Sequence, residues 1–213
     1  MKHLVRLMLK EIDSQKINLI ISGGKSPDKF LGEISKEKSI LSKLNFFLTD
    51  ERITKNNRKH SNFHNLKKKL KYKISNNKIF DPKKSYFSKK KKSKFFQTLK
   101  KNKVISVVGI GNDGHYASIF PNSKNLETLM DKDASPNLFK VEKIGKPRVE
   151  RITINFSTLL LSKKIYLIIN SLQKKKMIRF SLNNKINPLY SLIKIQKNKL
   201  KFFDAKTLKQ MKV

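Results

Sequence analysis

His115 and Asp113 stand two residues apart in the segment 104–121, VISVVGIGNDGHYASIFP, where a β-branched run ends in a glycine-rich turn. An imidazole titrates near neutral pH and can take a proton from water, and a neighbouring carboxylate can orient the ring or shape the turn. Val104–Val108 reads as a buried strand, and the turn delivers His115 at the expected start of a helix. Ligands of α/β sheets bind beyond the carboxyl ends of strands, which is where this pair falls. Phosphate suits such a turn, because backbone N–H groups and a helix dipole point toward it.

Three further clusters sit where strands end or begin. Ser22-Gly23-Gly24-Lys25-Ser26-Pro27 is a glycine loop feeding a helix: Gly23 and Gly24 let the backbone approach an anion, Ser26 adds a hydroxyl and Lys25 a charge. A plain strand-to-helix turn needs similar residues, and the GxxxxGK[ST] spacing is absent. Asp50-Glu51-Arg52, followed by Ser61-Asn62, offers a guanidinium fork for phosphate or carboxylate with acids to hold it. Taken alone, that cluster reads first as an exposed ion-pair turn. Lys146-Pro147…Arg151 and Lys174 place basic side chains just before one strand and just after another.

Gly109, Gly111 and Gly114 match GxGxxG, but a dinucleotide site needs an acid about twenty residues on, at the end of the next strand. Asp131 and Asp133 lie near that distance in LMDKDASPN, which is no strand, and the fingerprint has no use for Asp113 and His115. A serine elbow, GxSxG, is missing. His3, His60 and His64 show no metal-ligand spacing and read as surface residues, so no metal site is expected.

The elements that must position these groups alternate. A helix is expected over Leu4–Gln15, a strand over Ile17–Ser22, a helix over Pro27–Ser35 and a strand over Leu44–Thr49 ending in the charged turn Asp50-Glu51-Arg52. Helices come next over Ser61–Leu70 and Ser88–Lys101, with a weak strand near Lys78–Phe80 between them. Asn122–Glu150 reads as polar and irregular. Strands are expected over Arg151–Asn155 and Ile165–Asn170, separated by a helical turn around Ser157–Ser162, then a helix over Leu172–Leu182 and a small hairpin in Leu192–Phe203. This beat predicts one α/β domain over 1–213: a doubly wound, mainly parallel, Rossmann-like sheet with helices on both faces.

Composition narrows the function classes. The chain has 213 residues, 38% of them apolar, enough for one core. No run of about eighteen apolar residues occurs, so no transmembrane helix is expected. Cysteine is absent, which removes disulfides and thiolate metal sites. The net charge of +35 invites a nucleic-acid reading, yet 44 of the 50 basic residues are lysine and six are arginine. Nucleic-acid surfaces favour arginine forks interleaved with aromatics. Lysine here accompanies abundant asparagine and isoleucine and only three alanines, the pattern of codon drift toward A and T. Nucleic acid is therefore not the expected partner, although the field speeds the arrival of anionic substrates. The expected location is the cytoplasm.

Taken in order, the clusters resemble the 6-phosphogluconolactonase family, a relative of glucosamine-6-phosphate isomerase. The matching segments are GGKSP at 23–27, DER at 50–52, SN at 61–62, GIGNDGHYASIFP at 109–121, KPRVERIT at 146–153 and Lys174. Ser26 replaces a threonine, Arg148 and Val149 replace prolines and Ser171 a glycine of the family pattern. The resemblance implies hydrolysis of 6-phospho-D-glucono-1,5-lactone to 6-phosphogluconate, without a cofactor, by a monomer or small homo-oligomer. It implies His115 and Asp113 as the catalytic pair, and Gly23, Gly24, Ser26, Asp50, Arg52, Asn62, Gly111, Arg151 and Lys174 as the substrate and phosphate site. The isomerase branch carries a glutamate in GHxAFNEP that GHYASIFP lacks, so hydrolysis is expected over isomerisation. An inactive, basic polyanion-binding domain is the reading from a different class.

Overall fold

The computed structural model describes residues 2–12, 15–54 and 58–212. Among them, ten strands form two sheets: β1 Ile17–Ile21, β2 Leu44–Leu48, β3 Asp50–Arg52, β4 Ile79–Phe80, β5 Lys103–Gly109, β6 Leu138–Ile144, β7 Val149–Ile154, β8 Lys164–Ile169, β9 Leu200–Asp204 and β10 Gln210–Met211. The helices are α1 His3–Ile12, α2 Asp28–Ile34, α3 Lys38–Lys43, α4 Asn62–Lys69, α5 Pro82–Tyr86, α6 Lys89–Lys101, α7 Leu126–Met130, α8 Phe156–Leu160, α9 Leu172–Leu182 and α10 Pro188–Ile195.

The large sheet runs β10-β9-β8-β5-β1-β2-β4, parallel throughout except for β10 at its edge. Its strands are apolar on both faces because both are covered. Leu19, Ile21, Phe46, Leu48, Ile105, Val107, Tyr166 and Ile168 pack with α1 to α4, while Ile20, Phe47, Val108, Ile165, Leu167 and Ile169 pack with α6 and α8 to α10. One polar residue interrupts β1. Asn18 is fully buried, and its amide donates to the carbonyls of Thr98 (2.7 Å) and Leu99 (3.1 Å) at the end of α6, so the burial is satisfied.

The topology fixes where a ligand can enter. From β1 the chain proceeds through β2 to β4 on one side, and from β5 through β8 to β9 on the other. β1 and β5 are neighbours, so the loops after them diverge and leave a crevice at their carboxyl ends. The small antiparallel sheet, β3-β7-β6, roofs this end. Thr49 joins the two sheets: its N–H donates to Ile21 O at 3.0 Å and its carbonyl accepts from Ile154 N at 3.0 Å.

The doubly wound, mainly parallel sheet matches the sequence expectation, and four local expectations need correction. Asp50-Glu51-Arg52 is a strand, not an exposed turn, and pairs with Arg151–Thr153. The region 122–150 is not irregular, for it holds α7 and β6. The tail is not a 192–203 hairpin: α10 runs to Ile195, β9 joins β8 in parallel, and only then does β10 fold back. His115 does not begin a helix. The turn closes on itself, with Gly111 N–H donating to His115 O at 2.7 Å and Tyr116 bridging to Ile110 and Ile119. Part of the expected first helix, residues 13 and 14, lies outside the described residues.

Candidate active site

At the switch point lies a cavity of about 360 Å³ whose lining includes Ser26, Arg52, His115, Phe120, Arg151 and Lys174. Strand ends supply every wall: the loop after β1, β3, the turn after β5, β7, and the junction of β8 with α9.

His115 Nδ1 lies 2.6 Å from Asp113 Oδ1, and the same oxygen accepts the His115 backbone N–H at 3.2 Å. With Nδ1 protonated and donating, Nε2 keeps its lone pair and is the basic nitrogen. The Phe120 ring lies against the imidazole, with centroids 4.2 Å apart and the planes tilted by 35°, and carries the Arg151 guanidinium at 5.4 Å. Partial burial opposes ionisation of Asp113, but its hydrogen bonds to the His115 ring and backbone and its electrostatic attraction to that ring outweigh burial and hold its pKa below the usual carboxylate value. Gly111 is required by packing. A Cβ there would lie 2.2 Å from His115 Nδ1 and 2.4 Å from Asp113 Oδ1.

The cations line the same cavity. Arg52 Nη1 donates to His60 O at 2.9 Å, while its buried Nε has no hydrogen-bond partner among the described residues. Arg151 pairs across the strands with Arg52 and donates from Nε to Ile144 O and from Nη2 to Pro147 O. Burial lowers the Arg151 pKa, the Asp50 carboxylate 3.7 Å away opposes that, and the Arg52 charge adds to it. Lys174 Nζ reaches Ser26 Oγ at 3.5 Å, and burial pulls its pKa below the ordinary lysine value. Three cations held close, with burial resisting the charge on two of them, favour an anion with more than one negative charge.

Asp50 is the one carboxylate in the lining among the described residues, and it is fully engaged. It accepts from Ser118 Oγ at 2.7 Å, Thr49 Oγ1 at 3.1 Å and Asn62 Nδ2 at 3.2 Å. Its neighbour Glu51 points away from the cavity and organises the wall. Its oxygens accept the backbone N–H groups of Arg52, Asn62 and Phe63, each at 2.8 Å, and the Ser61 hydroxyl at 3.0 Å. Burial still outweighs those donors and raises its pKa.

Of the residues expected from sequence, His115, Gly24, Ser26, Asp50, Arg52, Gly111, Arg151 and Lys174 share this cavity. Gly23, Asn62 and Asp113 stand behind its wall. Gly23 is glycine because a Cβ would fall 2.1 Å from Asn62 Cγ, and Asn62 serves Asp50 rather than the cavity. Gly109 gives Ser26 its place, since a Cβ there would meet Ser26 Oγ at 2.7 Å. Lys146, from the basic cluster before Arg151, and Asn170 also line the cavity. Asn170 was legible only as the last residue of a strand. Among the described residues no group of three or more His, Asp or Glu side chains is placed to hold a metal ion.

The family model for glucosamine-6-phosphate isomerases/6-phosphogluconolactonase matches residues 1–201. The chain belongs to this family. A 6-phosphogluconolactonase of Thermotoga maritima is 28% identical over 208 residues, which cover 93% of this chain and 88% of that protein. The crystal structure of 6-phosphogluconolactonase from Thermotoga maritima superposes with a TM-score of 0.71 at 26% identity, covering 87% of this chain and 85% of that one. A 6-phosphogluconolactonase structure from Shewanella baltica gives a TM-score of 0.72 at 23% identity over 94% and 92% of the two chains. One from Plasmodium vivax gives 0.74 at 22% identity over 95% and 84%. At that identity the last two speak for the fold. No helix among the described residues is long and apolar enough to cross a membrane.

Proposed function

We propose that this chain hydrolyses 6-phospho-D-glucono-1,5-lactone to 6-phosphogluconate, with His115 as the general base. The observation that carries the assignment of roles is the shared cavity: an imidazole backed by a carboxylate lines it together with Arg52, Arg151 and Lys174. The phosphate of the substrate carries about −1.5 to −2 charges near neutral pH and takes the cationic side. Gly24, Ser26 and Arg52 form most of its cradle, with Lys174 beside Ser26.

Anchored there, the lactone presents C1 to His115. Nε2 removes a proton from water as its oxygen bonds to C1, and the carbonyl electrons move onto oxygen. That oxyanion is stabilised by the cationic lining, since Gly111 N–H is already committed to His115 O. Collapse re-forms the carbonyl and breaks the C1–ring oxygen bond, and the imidazolium returns its proton to the leaving ring oxygen. Asp113 holds the ring throughout. The isomerase chemistry of the same family fits less well, because Asp50, the carboxylate lining this cavity, is committed to Ser118, Thr49 and Asn62. The same reading makes the chain a single-domain cytoplasmic enzyme, monomeric or a small homo-oligomer.

The test is hydrolysis of lactone generated in situ, followed by base uptake, for wild type and His115→Ala, with unphosphorylated gluconolactone as control. The reading requires turnover that depends on both phosphate and His115. A wild-type rate no faster than the spontaneous background rejects it, and near-normal turnover in His115→Ala rejects His115 as the base.

A further inference from the structure

Residues 112–114, which carry Asp113, belong to neither sheet. Within the turn they bond to Gly111 and His115, and among the described residues one hydrogen bond ties them to the fold beyond it: Asn187 Nδ2 donates to Asp113 O at 2.9 Å, across 74 positions of sequence. Asn187 is 5% exposed, and its amide lies against Gly114. Gly114 has φ +86, and a Cβ there would come 2.4 Å from Asn187 Oδ1. Loop and amide therefore fit together with no room for a side chain between them.

Asn187 has a second contact. Its Oδ1 accepts from Leu189 N at 3.0 Å and caps α10. Capping needs only an acceptor, and serine or aspartate supplies one as well as asparagine does. The donated hydrogen bond to Asp113 O needs the NH₂ group.

We propose that Asn187 is a positioning residue for hydrolysis: its amide fixes the Asp113–Gly114 peptide and so keeps the Asp113 carboxylate on His115 Nδ1. The proposal rests on the reading of His115 as the general base. It separates two roles that one side chain plays, a cap for α10 and a tether for the catalytic turn.

Asn187→Asp and Asn187→Ser divide those roles, because both retain the cap and neither reaches Asp113 O with a donor. Each is expected to lower kcat about tenfold, as small misplacements of a reacting group do. KM for the lactone and the affinity for 6-phosphogluconate stay within about twofold, since the phosphate site is untouched. The thermal midpoint stays within about 3 °C because the cap survives. An unchanged kcat in both variants overturns the proposal. So does a loss of kcat that falls in step with the thermal midpoint and product affinity, the mark of a general structural defect. Wild type without activity removes the lactonase reading and this proposal with it, and that outcome is seen before any variant is compared.

Discussion

Asp113 Oδ1 accepts twice from His115, from ring Nδ1 at 2.6 Å and from the backbone N–H at 3.2 Å. One oxygen thus fixes both the main chain and the imidazole of the same residue. With Phe120 packed against the ring, rotation about χ2 would break two contacts at once. The ring is oriented before substrate arrives.

Asp113→Asn should therefore harm catalysis more than Asp113→Ala. An asparagine can turn its NH₂ toward Nδ1 and stabilise the tautomer with the proton on Nε2, where it cannot act as base. The expected loss in kcat is about 100-fold for Asn and less for Ala, with KM little changed, because general-base contributions are of that order. Steady-state kinetics on the three proteins decides it, and Ala losing more than Asn would contradict the tautomer argument.

Lys174 costs the free protein stability. Its lowered pKa means that the partly buried ammonium is disfavoured relative to the unfolded chain. The penalty is fully present below the depressed pKa and disappears as pH rises through it toward the ordinary value of 10.5. In that window the unfolded chain binds the extra proton, so stability attributable to this site rises with pH. Lys174→Met should raise the thermal midpoint at neutral pH, raise KM for the phosphorylated lactone about tenfold, and flatten the alkaline rise in stability. Calorimetry across pH, beside kinetics, checks the sign; a lower midpoint in the variant would contradict it.

Arg52 uses a fork that lysine cannot supply. Nη1 is committed to His60 O, and the buried Nε points its donor where no protein acceptor lies among the described residues. Arg52→Lys preserves the charge, so a purely electrostatic site would tolerate it. The expectation is a rise of about tenfold in KM for the phosphorylated lactone, with kcat/KM for unphosphorylated gluconolactone unchanged. Equal effects on both substrates would remove Arg52 from the phosphate cradle.

Much of this arrangement was legible because the chemistry sits directly after uninterrupted apolar strands. The runs 17–21 and 104–108 announce themselves, and the loop after each run must lie at the sheet's carboxyl end. β6 gave no such signal: in LFKVEKI only Leu138 and Val141 are buried, and a bulge between Val141 and Ile144 breaks the alternation. β3 was unreadable because Asp50 and Glu51 are buried carboxylates, satisfied, beyond the adjacent Thr49, by Ser118, Asn62 and Phe63, partners that only the tertiary fold brings together. Asn187 before Pro188 signals a helix cap and nothing more. Its bond to Asp113 O spans 74 residues, beyond any local pattern.

Lys69 stands apart from the other lysines because it shapes the phosphate loop from behind. Its Nζ donates to Gly24 O at 2.7 Å and to Gly23 O at 3.3 Å, and it pairs with Asp28 at the start of α2. In a trans peptide the carbonyl and the following N–H point in opposite directions. Holding these two carbonyls toward α4 therefore turns the N–H groups of Gly24 and Lys25 the other way, and both residues line the cavity. Lys69→Met should raise KM for the phosphorylated lactone about fivefold and leave kcat nearly unchanged, because anchoring is loosened while the His115 turn is not touched. Lys68→Met is the matched control, since it removes the same charge from an exposed neighbour on the same helix. A general effect of net charge would move both variants alike, and would do so less at higher salt. A shift confined to Lys69→Met, persisting in salt, assigns the effect to the two carbonyls.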